Sequence, residues 1–170
     1  MGSGNPPEVW LRGPLPDVVP HLKPAAHALL QAREELARAV AGATNEEVWQ
    51  RPGAAASAGY HLQHLAGSLD RLLTYARGES LGEDQRCALL QEGTPGAPVS
   101  ALLSAAHAAI DRAVDQVRRT PAEILLDPRE VGRARLPSTV LGLLFHAAEH
   151  TARHSGQVVT TLKALRPEGA

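Results

Sequence analysis

Histidines 146, 150 and 154 recur at every fourth position in the segment FHAAEHTARHSGQ, residues 145–157. A step of four residues turns a helix by slightly more than one revolution, so three such imidazoles rise along one side of one helix. A neutral imidazole is a good donor to divalent transition metals, and two of them at i and i+4 are spaced to clamp one ion. With His146 taken as the origin, His150 falls at about 40° and His154 at about 80°, whereas Val140, Ala147, Val158, Leu162 and Leu165 gather at about 100–160°. His150 and His154 therefore border the apolar face and form the expected clamp. His146 lies further round, as a rim residue or spare ligand.

One helix cannot complete a tetrahedral site, so a third ligand has to come from another element. The segment HLQH offers His61 and His64, which flank the leucine face of a second helix, and either completes three imidazoles with an open fourth position. Glu149 and Arg153 lie just outside the ladder and read as solvated charges. The alternative role for Glu149 is to accept a ligand N–H or to act as a base, and the Gln157 amide follows on the ladder face, within reach of a ligand or substrate. Both are expected to act from outside the ligand set. His107, on the apolar stripe of another helix, is read as structural, with a fourth group near the site as the alternative; His21 and His27 are read as surface residues. Trp49, Tyr60 and Tyr75 are taken as packing or pocket-wall residues. Cys87 lacks a neighbouring activating group and is taken as helix packing.

These side chains need helices to hold them. Residues 5–20 contain five prolines and one glycine and predict an extended arm with Trp10 docked as its anchor. A first helix is predicted from Pro24 to Ala41 with Gly42 behind it, and Ser57 caps a second that runs to Gly78 with Leu62, Leu65, Leu69, Leu72 and Leu73 on its core face. Ser80, three residues before Glu83, has capping-box spacing for a short accessory helix. A third long helix spans Val99–Arg119, with Leu103, Ala106, Ile110, Val114 and Val117 on one stripe. Residues 120–137 hold three prolines and one glycine and read as a connection with little regular structure, after which Ser138 caps the longest helix. The expected architecture is an all-α four-helix bundle, an arm at 1–20 and a single domain at 21–170.

Composition narrows the function. The 170 residues are 44% hydrophobic but only 3% aromatic, which favours alanine- and leucine-rich helices over strands. Seventeen Lys and Arg against eighteen Asp and Glu leave a formal charge of −1, with no basic stripe to attract a phosphate backbone. No apolar run approaches the ~18 residues of a membrane span, and a lone cysteine cannot form an internal disulfide. A cytoplasmic protein acting on a small molecule, with neither nucleic acid nor membrane as partner, is expected.

The segments HLQHLAGSLDRLLTYARG and LLFHAAEHTARHSGQ together resemble the DinB-like (DinB/YfiT) superfamily of metal-dependent proteins, over most of the chain from about Pro14; H-x-x-x-H-x-G-Q is the most specific part. The resemblance implies a four-helix bundle whose metal, often zinc or nickel, is held by one histidine of the second helix and two of the last. By position these are His64, His150 and His154, with His61 and His146 as possible additional ligands. It further implies a thiol S-transferase in detoxification or stress response, using a low-molecular-weight thiol such as bacillithiol, mycothiol or glutathione. A metal-dependent hydrolase and a non-catalytic metal-binding stress-response module are the rival readings. A homodimer paired through helix faces is expected as well.

Overall fold

The computed structural model describes residues 6–166, so the first five residues of the expected arm and residues 167–170 of the expected domain lie outside it. The chain is mostly helical. Six α-helices follow in order: α1 (Lys23–Ala39), α2 (Asn45–Trp49), α3 (Ala58–Ala76), α4 (Glu83–Gln91), α5 (Val99–Arg119) and α6 (Val140–Leu165). The four long ones pack pairwise, α1 and α3 each against both α5 and α6. Their apolar stripes meet in one core. Leu29, Leu36, Leu62, Leu65, Leu69, Ile110, Leu144 and Leu162 are buried there, and small alanines such as Ala26, Ala106 and Ala113 let the helices approach.

Ser57 caps α3 as expected, its hydroxyl accepting from the Tyr60 N–H at 3.1 Å. On α5 the buried stripe is completed by Leu102, Ala109 and Ala113, while Leu103 is only half-buried. The short α2 carries a capping box, in which Thr44 Oγ1 accepts from Glu47 N and Glu47 Oε2 accepts from Thr44 N, both at 3.1 Å.

Five local expectations are corrected. The connection at 120–137 is not structureless: Pro128–Val131 (β1) pairs antiparallel with Leu136–Thr139 (β2). The reversal is made by Gly132 and Arg135, both at positive φ, and the strands are too short for their alternation to show in the sequence. This hairpin starts α6. Val140 N donates to Asp127 O at 3.2 Å and Leu141 N to Leu125 O at 2.8 Å, so the backbone before the hairpin satisfies two of the first-turn donors of α6. The side-chain cap is Thr139, the last residue of β2, whose Oγ1 accepts from Gly142 N at 3.0 Å, and not Ser138 one residue before it.

The accessory helix begins after Gly82, whose N–H donates to Gln85 Oε1 at 2.9 Å, so Ser80 is not the cap. The anchor of the arm is also different: Trp10 is 59% exposed, whereas Val9 and Val18 are buried. Packing the smaller valines leaves the indole outside, where Nε1 donates to Glu8 at 2.6 Å. Cys87 is exposed on α4, a helix that buries none of its residues, and therefore has no packing role.

Candidate metal centre

The site lies where α3 meets α6. Leucines at 62, 65 and 69 turn one stripe of α3 inward, and His61 and His64 ride on the margin of that stripe beside the α6 ladder. One ring nitrogen from each of His64, His150 and His154 lies within 4.8 Å of those of the other two. The ring centroids are 4.5 Å apart for His150 and His154, 4.6 Å for His64 and His154, and 5.1 Å for His64 and His150. His154 is buried, and His64 and His150 are half-buried.

Each of these rings spends its Nδ1 on an outer partner. His64 Nδ1 is 2.7 Å from Glu92 Oε2, and His150 Nδ1 is 3.3 Å from Ser68 Oγ. The Ser68 hydroxyl donates to Leu65 O, so toward His150 it accepts. His154 Nδ1 is 3.0 Å from Nδ1 of His61, an arrangement that needs one N–H and one lone pair. With Nδ1 so occupied, Nε2 is the nitrogen left for coordination on His64 and His150, and on His154 when its Nδ1 carries the proton shared with His61.

The protonation states agree with that use. Burial, reinforced by the charge of His64 and His146, lowers His150 to about 4. Burial, reinforced by the charge of His150 and His64, lowers His154 to about 3. His61 is lowered by burial and by His64. Neutral imidazoles with free lone pairs are the form a metal requires. The donor set fits a divalent transition ion with an open position for a further ligand.

The remaining predicted residues stand as follows. His61 is brought into the cluster, but the nitrogen facing it is the Nδ1 of His154. His146 is exposed at the rim, its ring 5.5 Å from that of His150 and its Nδ1 3.4 Å from Glu149 Oε2. Glu149 is gripped by Arg153 one turn on, which holds its carboxyl below the usual range. Gln157 is exposed on the turn after His154. His107 Nε2 bonds Arg33 O at 3.0 Å between α5 and α1, a structural role. His21 is exposed; His27 departs from expectation, being half-buried with an enclosed Nε2 that has no partner among the described residues. Tyr60 stacks on His64 with rings 5.5 Å apart and walls the site, whereas Trp49 packs on the core with Nε1 donating to Ala97 O at 2.9 Å.

Ser68, Arg71 and Glu92 were not singled out in the sequence. Ser68 and Arg71 follow His64 at steps of four and seven on the same helix face, a signal that was available; Glu92 belongs to a connection with no periodicity to expose it.

A family model described as DinB superfamily matches residues 28–158. The chain belongs to the DinB superfamily. Among solved structures, a similar one is the crystal structure of the conserved protein of locus from Enterococcus faecalis, with a TM-score of 0.65 and 20% identity over 85% of this chain and 96% of that one. At that identity the likeness shows a shared fold and no more. No curated protein matches the chain. No helix among the described residues is long and apolar enough to cross a membrane.

Proposed function

We propose that the four long helices form a four-helix bundle holding a divalent metal ion, zinc or nickel, through His64, His150 and His154, and that the protein is a metal-dependent thiol S-transferase. The observation that carries the metal reading is the convergence of three half-buried or buried imidazoles from two helices, each with Nδ1 already engaged. A divalent ion there supplies Lewis acidity that favours the thiolate form of a low-molecular-weight thiol. The chain's own part is to hold three neutral donors in place and leave a coordination position for a further ligand. The thiol itself rests on the family resemblance.

The hydrolase reading needs a competent base, and Glu149 is poorly suited: pairing with Arg153 stabilises its charged form and weakens its basicity. The wider reading is a cytoplasmic protein of detoxification or stress response that acts on a small molecule without nucleic-acid or membrane partners. It comprises one domain from residue 21, an arm at 1–20 and pairing of two copies.

Elemental analysis of tag-free protein tests the metal: about one divalent ion per chain is expected, with loss in His64→Ala and His150→Ala. Unchanged stoichiometry in both variants would sink the ligand assignment. A panel of electrophiles assayed with and without added thiol then separates the transferase from the hydrolase and from a non-catalytic module.

A further inference from the structure

Two features of α3 are not accounted for by the ligands. Arg71 is only 9% exposed, an unusual place for a guanidinium. Gly67 sits in the middle of the helix, where glycine is unfavourable relative to alanine. Both face the same group. Arg71 Nη1 donates to Glu92 Oε1 at 2.6 Å, while the other carboxylate oxygen lies 2.7 Å from His64 Nδ1. A Cβ at position 67 would collide with Glu92 Oε1 and stand 2.9 Å from Arg71 Nη1. The side chain Gly67 lacks is thus the space in which the carboxylate rests.

The connection after α4 is seated on α3 by polar contacts. Gly93 N donates to Gln63 Oε1 at 2.9 Å, and Gln63 Nε2 donates to Thr94 O at 3.4 Å. Gly93 has φ +86° and lies against the Tyr60 ring, which itself stacks on His64. The helix before it, α4, buries no residue of its own, so the strap near Glu92 is held to α3 largely by these contacts.

We infer that Glu92 is a positioning residue of the histidine centre, and that Gly67 and Arg71 are the seat built for it; the inference rests on the metal reading above. A neutral imidazole has two tautomers, and only the one with Nδ1–H leaves a lone pair on Nε2. An acceptor at 2.7 Å selects that tautomer, fixes the ring plane and raises the basicity of the coordinating nitrogen. Arg71 supplies the counter-charge without which a carboxylate only 11% exposed would be costly.

Competition titration with zinc alone, on the wild type and on Glu92→Ala, Glu92→Gln and Gly67→Ala, tests this. Glu92→Ala is expected to weaken zinc binding by about 10–100-fold. Gly67→Ala should weaken it in the same direction, although it touches no ligand and favours the helix. Glu92→Gln keeps an oxygen acceptor for Nδ1–H and should recover part of the loss. Thermal unfolding of the metal-free proteins is followed in parallel, because a purely structural glutamate would lower that midpoint and leave zinc affinity unchanged. Equal zinc affinity in wild type, Glu92→Ala and Gly67→Ala overturns the role of Glu92 while leaving the metal centre standing. Failure of the wild type to bind zinc or nickel at all removes the metal reading, and this inference with it.

Discussion

His61 Nδ1 stands 3.0 Å from His154 Nδ1, joining the first turn of α3 to the middle of α6 through a pair of buried rings. If His61 orients His154, then His61→Ala should retain a bound ion but weaken it by about 10–100-fold, whereas His154→Ala should abolish binding. Isothermal titration with zinc reads the difference. Equal loss in the two variants would make His61 a ligand in its own right.

The metal-free protein should lose stability in acid. His150 and His154 titrate at about 4 and about 3 in the fold, against 6.5 unperturbed, so protons bind the unfolded chain first. Their contribution is complete above pH 6.5 and is lost as pH falls from there through about 4 to about 3. Denaturation midpoints of wild type and His154→Gln, measured in chelator across that window, should converge as the pH drops. Parallel curves would contradict the depressed values.

Two glycines on the histidine-bearing helices should respond oppositely to alanine. A Cβ at Gly59 would come within 2.7 Å of the Trp49 ring, so Gly59→Ala should cost about 1–3 kcal/mol by overpacking. A Cβ at Gly156, in mid-α6, meets nothing within 4 Å, so Gly156→Ala should gain about 0.5–1 kcal/mol. Urea denaturation resolves both signs.

The cap of α6 makes a third comparison. Thr139→Ala should cost about 1 kcal/mol, because Gly142 N loses its acceptor, and Ser138→Ala should cost much less. Equal effects in the two variants would contradict Thr139 as the cap.

Much of the site was legible because helical periodicity is a local property. Steps of four placed His150 and His154 on the core margin of α6, and the leucine pattern placed His61 and His64 on that of α3, before any contact between the helices was known. Short-range capping was less legible. Ser57 was read correctly, yet Ser80 and Ser138 were displaced by Gly82 and Thr139, since several residues close together offered workable starts and tertiary contacts chose between them. The β1–β2 hairpin was missed because four-residue strands with a proline in each carry too little pattern to outweigh their turn residues.

Helix faces and histidine spacing depend on neighbours within a turn or two and were legible in the chain itself, as was a composition suited to mostly helical packing. That both histidines of α3 meet the ladder, His64 in the cluster and His61 against His154 Nδ1, and that each ring receives a partner at Nδ1, follows only from the packing of the helices. Those partners come from positions 28 to 93 residues away, among them a connection that has no periodicity at all. Their meeting depends on how α3, α6 and the strap after α4 pack together, which no local pattern encodes.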